Sequence, residues 1–227
     1  MIVGKGLIAS LFMQENHEDI LIFASGVSNS SETRAEEFLR EKNLLERTIA
    51  NNPDKLCVYF STCSIYDSSK NNSPYVLHKL KMEEFVKENA SKYLILRVSN
   101  AVGKGGNPNL LMNYLIRSVE NNETINVHTK ATRNLIDAED IKKITLELID
   151  KKSYNTIYNL AYPQNYSIIE LLGIIKRFYD IQLSLNLIKM GSGYQINIQE
   201  TENYFIQNNL TNKEEYLFSI LKKYYSN

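Results

Sequence analysis

Met1-Ile2-Val3-Gly4-Lys5-Gly6-Leu7-Ile8-Ala9 opens the chain with a short apolar strand signal that runs at once into Gly-x-Gly-x-x-Ala. Gly4 permits a tight turn, Gly6 lets phosphates reach the backbone, and Ala9 lets a helix pack close to its strand. The next residues, Leu7 to Met13, are apolar enough to form that helix. Its N-terminus would then face a pyrophosphate. The same glycines would suit a plain turn. A strand before and an apolar helix after are, however, the context in which this pattern cradles a dinucleotide.

Working outward, Asp19-Ile20-Leu21-Ile22-Phe23-Ala24-Ser25-Gly26 reads as a buried strand ending in small residues, which suits close backbone approach by a ligand. A charge-rich helix follows from Glu32 to about Asn51, and Asn52-Pro53-Asp54 breaks it. Leu56-Cys57-Val58-Tyr59-Phe60 is a second apolar strand, leaving through Ser61-Thr62-Cys63-Ser64-Ile65-Tyr66. Pro74 opens a helix running to Asn89, and Tyr93 to Val98 is a third strand. Further on the pattern predicts a helix from about Asn109 to Val119. Another starts near Asp137 with acids in its first turn, Tyr154 to Leu160 is strand-like, and Ser167 caps a helix reaching Tyr179. Polar residues dominate from Leu183, with Gly191-Ser192-Gly193 expected as a flexible turn, and Lys213 to Tyr225 is an amphipathic helix.

Strands alternating with helices predict an α/β fold, a Rossmann-like parallel sheet flanked by helices. Residues 1–150 would form the dinucleotide-binding part. Residues 151–227 would form most of a small C-terminal substrate lobe, interleaved with loops around 104–134.

Tyr75 and Lys79 lie one helical turn apart and so share a face. A free phenol titrates near about 10, and a neighbouring cation makes it a usable acid or base. Thr62, at a strand end, would hold a substrate oxygen beside them. The trio suits proton transfer between a carbonyl and an alcohol, with Tyr75 moving the proton and Lys79 tuning it. A lone Tyr-x-x-x-Lys among 15 tyrosines is weak by itself, and its place in the chain strengthens it.

Lys+Arg and Asp+Glu balance at 26 each, so no broad positive field would attract nucleic acid. Cys57 and Cys63 suggest no disulfide framework, and His17, His78 and His128 have no ligand spacing, so no metal is expected. Met1 to Met13 lacks a cleavage site after it, and no stretch approaches the roughly 20 apolar residues of a membrane span. A cytoplasmic protein without membrane contact is expected.

Six features in order resemble one family. They are the Gly-x-Gly-x-x-Ala turn, Phe23-Ala24-Ser25-Gly26, the Ser61-to-Tyr66 segment, Tyr75…Lys79, Arg97…Asn100…Gly103 and Arg133…Asp140. The family is the extended short-chain dehydrogenase/reductases of the NAD-dependent epimerase/dehydratase type, which act mostly on nucleotide sugars. The resemblance covers nearly the whole chain. It implies Tyr75 as catalytic acid/base, Lys79 on the cofactor ribose, and Thr62 as the catalytic hydroxyl and a substrate contact. Gly4, Gly6, Leu7, Ile8, Ala24, Ser25 and Gly26, with Tyr75 and Lys79, would bind the dinucleotide, and Asn100 and Arg133 the substrate diphosphate. A homodimer through a four-helix interface, built from 32–51 and 75–89, is implied as well.

Two departures shape the expectation. Between Ala9 and Ile20 there is no room for the family's second and third strands, which carry the adenosine-ribose contacts, so NAD and NADP both stay open. A right-handed crossover from the first strand straight to Ile20 would also put the first helix on the other sheet face. The family dehydratases' Asp-Glu pair is replaced by Cys63-Ser64, which disfavours dehydration. Cys63 would serve either packing or, less simply, acid/base epimerisation. The leading expectation is reduction of a keto-sugar nucleotide, such as a 4-keto-6-deoxy sugar. A nucleotide-sugar epimerase, or a non-catalytic relative acting as a binding subunit, stands as the alternative.

Overall fold

The computed structural model describes residues 1–14, 18–108 and 110–226. The helix start expected at Asn109 and the histidine His17 lie outside them. β1 (Ile2–Val3) leads through α1 (Leu7–Leu11) to β2 (Ile20–Phe23), α2 (Ala35–Ala50), β3 (Leu56–Thr62), α3 (Pro74–Asn89) and β4 (Lys92–Val98). Then come β5 (Asn100–Val102), α4 (Leu111–Glu120), β6 (Ile125–His128), β7 (Thr132–Arg133), β8 (Leu135–Asp137), α5 (Ala138–Asp150) and β9 (Thr156–Leu160). β10 (Tyr166–Ser167), α6 (Ile168–Tyr179), β11 (Leu185–Ile188), α7 (Glu202–Gln207) and α8 (Lys213–Tyr225) complete the chain.

Five strands form one parallel sheet in the order β1-β2-β3-β4-β9. Helices cover both faces, which is why the central strands read as unbroken apolar runs. Ile20, Ile22, Leu56, Val58, Phe60, Leu94 and Leu96 face one core, and Leu21, Phe23, Cys57, Tyr59 and Ile95 face the other. Leu45 and Ile49 of α2, with Met82 and Val86 of α3, close the second core. The larger first core takes Phe12 just after α1 together with residues of α4, α5, α6 and α8.

The sheet is parallel, as expected, and β1 stands at its edge. The first crossover departs from the usual hand. β1 to β4 advance across the sheet in one direction, yet α1 packs on α5, over the face opposite α2 and α3. The β1–α1–β2 connection therefore has the opposite hand to the two that follow it, against the strong right-handed preference. Gly103 makes that seat available: a Cβ there would lie 2.7 Å from Leu7 Cδ1 and 2.8 Å from the Ala138 Cβ.

The C-terminal part is tied down by polar contacts. Asp137 caps α5, accepting from Glu139 N–H at 2.9 Å, and also accepts from Lys223 and Tyr224. Asp140 accepts from Tyr204 and Tyr216 hydroxyls at 2.6 and 2.7 Å, which docks α7 and α8 against α5. A capping box of Ser167 and Glu170 starts α6. The exposed turn at Gly191 to Gly193 lies against Ala131 and Thr132. It follows β11, which pairs in parallel with β6, and a Cβ on Gly191 would lie 2.9 Å from Ala131 N. Among the described residues no helix is long and apolar enough to cross a membrane.

Candidate active site

A cavity of about 1010 Å³ opens at the carboxyl ends of β1 to β4, where parallel α/β sheets hold ligands. Gly6, Leu7 and Ile8 line it after β1, Ala24, Ser25 and Gly26 after β2, Thr62 at the end of β3, and Asn100 after β4. Tyr75, Lys79 and Arg133 line it too. The fold thus brings most residues singled out in the sequence to one cavity. Gly4, Ala9 and Cys63, also singled out in the sequence, do not line it. Gly4 has φ +133°, and a Cβ there would collide with the Ala24 carbonyl, its carbon lying at 2.7 Å. Gly6 differs: a Cβ there meets nothing within 4 Å, so it would project into open space.

Pro74 at the first helical position and Ser73, whose hydroxyl accepts from Val76 N–H at 3.2 Å, start α3. That start puts Tyr75 in the first turn. Tyr75 is 6 % exposed, and among the described residues its hydroxyl makes no hydrogen bond. The Thr62 hydroxyl accepts from Ser64 N–H at 3.0 Å, which leaves its own proton as the group it can offer to a substrate oxygen. Asn100 Nδ2 donates to the Asn134 carbonyl at 2.7 Å, and Arg133 donates to the Thr132 carbonyl at 2.7 Å.

Lys79 is held by groups that the sequence reading did not single out. Its ammonium donates to Glu41 Oε1 at 2.9 Å and to the Phe60 carbonyl at 3.3 Å, and lies 3.2 Å from the Tyr59 hydroxyl. Glu41 is fully buried, and accepts from Val27 N–H at 2.7 Å and from Tyr59 at 2.6 Å, with His78 Nε2 at 3.1 Å. Burial works to raise the Glu41 carboxyl, but the Lys79 charge, with the His78, Tyr59 and Val27 bonds, outweighs it and holds the group well below the usual carboxylate range. Glu41 escaped notice inside a charged run. The available signal was spacing: Glu41, Leu45, Thr48 and Ile49 share the buried stripe of α2.

Cys63 takes the packing role. It is fully buried and its thiol donates to the Arg97 carbonyl at 3.0 Å, and burial pushes its ionisation far up. Burial likewise pushes Cys57 up to about 12. Neither is a usable acid or base near neutrality.

Charge marks the cavity. The protein as a whole is neutral, yet among the described residues Lys5, Arg40, Lys70, Lys79, Lys104 and Arg133 line the cavity with one carboxylate, Asp67, although Glu41 pairs with Lys79 and Glu37 with Arg40. Lys70 donates to Ser30 at 3.0 Å, and burial and the nearby Arg133 lower its ionisation despite Asp67. Such a lining favours an anionic ligand. A dinucleotide suits the residues present: open space over Gly6 for phosphates, and Tyr75 and Lys79 farther along the same cavity. Ser99, whose buried hydroxyl has no protein partner among the described residues, adds a polar group to the wall.

A profile of the NAD dependent epimerase/dehydratase family matches residues 5–161. No curated protein matches the sequence. Among solved structures, the UDP-glucuronic acid 4-epimerase of Bacillus cereus, in complex with UDP-glucuronic acid and NAD, superposes with a TM-score of 0.72 at 15% identity, over 95% of this chain and 78% of that one. The UDP-N-acetylglucosamine 4-epimerase of Methanobrevibacter ruminantium superposes with a TM-score of 0.68 at 17% identity, covering 96% and 83%. RMD from Pseudomonas aeruginosa, complexed with NADPH, gives 0.67 at 16% identity, covering 97% and 87%. At these identities the likeness speaks for the fold.

Proposed function

This chain belongs to the NAD dependent epimerase/dehydratase family, and from that premise we propose that it performs nicotinamide-dependent hydride transfer at a carbonyl or hydroxyl carbon of a nucleotide sugar. The observation that carries the proposal is the Tyr75 phenol. It is nearly buried and without a protein hydrogen-bond partner among the described residues, and it faces a cationic cavity shared with Thr62 and Lys79.

The nicotinamide, NAD or NADP, supplies the hydride chemistry when bound. Gly6, Leu7 and Ile8 would hold the phosphates, Ala24, Ser25 and Gly26 the adjoining ribose, and Lys79 the ribose beside Tyr75. Tyr75 gives its proton to the substrate oxygen, or takes it in the reverse direction, and Thr62 donates a hydrogen bond that holds that oxygen in place. Arg133 and Asn100 would take the diphosphate of the sugar nucleotide, for which the cation-rich lining is suited. We place these ligand contacts in residues 1–150, with 151–227 supplying most of the substrate lobe and β9 returning to the central sheet.

Reduction of a keto-sugar nucleotide is the favoured direction. The buried, packed Cys63 supplies no acid or base for dehydration or for a carbon epimerisation, and β1 at the sheet edge leaves the adenosine half of the cofactor little to hold it between turnovers. Epimerisation needs only the same Thr62, Tyr75 and Lys79, so it is the second reading. The test is titration of cofactor-stripped protein with NADH and with NADPH, then turnover with keto-sugar nucleotides. Reduced cofactor is expected to be consumed in step with product. Isomer interconversion without consumption overturns reduction in favour of epimerisation. Absence of binding at millimolar cofactor, with nucleotide sugars present, overturns the enzyme reading in favour of a binding subunit.

A homodimer through α2 and α3 is part of this proposal. Leu39, Leu77 and Leu80 are exposed there, and an apolar groove between the two helices includes Phe38, Met82 and Phe85. Light scattering at micromolar concentration is expected to give twice the chain mass, and Leu39→Glu to give the monomer. A monomeric parent protein would refute the interface.

A further inference from the structure

The sheet fixes which end of a dinucleotide would lie where. Thr62 ends β3, Tyr75 and Lys79 stand on α3 that follows it, and Asn100 follows β4. The reacting nicotinamide end therefore belongs over β3 and β4, and the adenosine end over β1 and β2. Two cations line the cavity there: Lys5 in the turn after β1, and Arg40 on the second turn of α2. Arg40 is anchored with donors to spare. Its Nη1 donates to the Ser25 carbonyl, just past β2, at 3.2 Å, and its Nε to Glu37 Oε2 at 3.1 Å. Nη2 has no hydrogen-bond partner among the described residues, and the side chain is 44 % exposed. Lys5 is exposed as well.

The carboxylates decide what this end can hold. An adenosine ribose with a free 2′-hydroxyl is commonly bound by an Asp or Glu that accepts from it, whereas an arginine accommodates a 2′-phosphate. Among the described residues the carboxylate that lines the cavity is Asp67. It follows β3, at the reacting end, and already accepts from the Ser69 N–H at 3.0 Å and the Ser69 hydroxyl at 2.6 Å. Glu37 does not line the cavity, and it is taken up by Arg40 and, at 3.9 Å, by Arg34. The adenosine end thus presents cations to a ligand and no acceptor for a ribose diol.

We propose that Arg40 recognises the 2′-phosphate of NADP and makes this chain selective for NADP over NAD. The proposal rests on the dinucleotide reading of the cavity and adds to it the choice of cofactor. Guanidinium N–H groups form strong charge-assisted bonds to phosphate oxygens, and a phosphate monoester brings more negative charge than any hydroxyl it replaces. Lys5 adds to the positive field at the same end. With β1 at the sheet edge, a long side chain from α2 reaches the adenosine half from the β2 side, where no further strand is needed to carry it.

The test is a binding measurement, without turnover. Cofactor-stripped parent and Arg40 variants are titrated with NADPH and with NADH, following nicotinamide fluorescence. The parent is expected to bind NADPH about tenfold more tightly, or better, as charge-assisted bonds to one phosphate allow. Arg40→Ala is expected to bring the ratio of the two affinities close to one, and Arg40→Lys, which keeps the charge without the fork, to leave it in between. Arg40 stands exposed on a helix, where alanine is well tolerated, and circular dichroism checks each fold. If Arg40 serves only to hold Ser25, its loss weakens both cofactors alike. An unmoved ratio in Arg40→Ala therefore overturns its role. A parent that binds NADH as tightly as NADPH overturns the selectivity while leaving the dinucleotide reading standing. Binding of neither cofactor at millimolar concentration, with nucleotide sugars present, overturns that reading and this proposal with it.

Discussion

Replacing Tyr75 by Phe is expected to cut turnover by about a thousandfold while leaving the fold intact. A positioned acid or base contributes roughly 10²–10⁴-fold, and the substitution removes the group to which the proton transfer is assigned. The same change takes away only a hydroxyl, which among the described residues bonds to nothing, and keeps the ring that packs with Val27 and Val76. Stability should therefore shift by no more than about 0.5 kcal/mol. Thermal melting and turnover measured on one preparation check both halves. Activity close to the parent's would remove Tyr75 from the chemistry. A large fall in melting temperature would show that the hydroxyl serves packing instead.

Gly4→Ala is expected to be strongly destabilising. At φ +133° an L side chain is strained, and backbone of this kind costs on the order of 1–3 kcal/mol. The Cβ must also displace the Ala24 carbonyl, which is backbone following β2 and cannot turn aside as a side-chain tip would. Together these place the loss at about 2–4 kcal/mol. β1 has only two residues and one neighbour, so this strain should detach it from β2 and open the cavity wall. Gly6→Ala makes the contrast. Its φ of −80° suits any residue and its Cβ meets nothing, so stability should hold while the methyl enters the space over which phosphates would lie. Denaturant midpoints and nicotinamide fluorescence separate the two: stability falls in the first variant, and cofactor affinity alone in the second. Equal stability of both variants would refute the assigned role of Gly4.

Much of the fold was legible because it is written in short-range patterns. Unbroken apolar runs at Ile20–Phe23 and Leu56–Phe60 announced strands buried on both faces. Pro74 and Ser167 announced helix starts close to where they occur. That Thr62, Tyr75 and Lys79 share one cavity was legible as well, since a strand end and one helical turn fix their spacing. The paired short strands β5–β8, β7–β10 and β6–β11 were not resolved as pairs, because two to four residues carry too little periodicity to report a distant partner.

By itself, then, the sequence determined the alternation of strands and helices, hence the parallel sheet, and many of the residues gathered at its carboxyl end, because backbone preference and apolar patterning act over a few residues. Tertiary structure alone decided three things. It set the hand of the first crossover, through the close seat that Gly103 gives α1 on α5. It made Cys63 a packed, protonated thiol instead of an acid. It also gave Lys79 its counter-charge, by carrying Glu41 across 38 residues of chain into a buried pair. Burial and charge pairing depend on which helices pack together, and no local pattern encodes that.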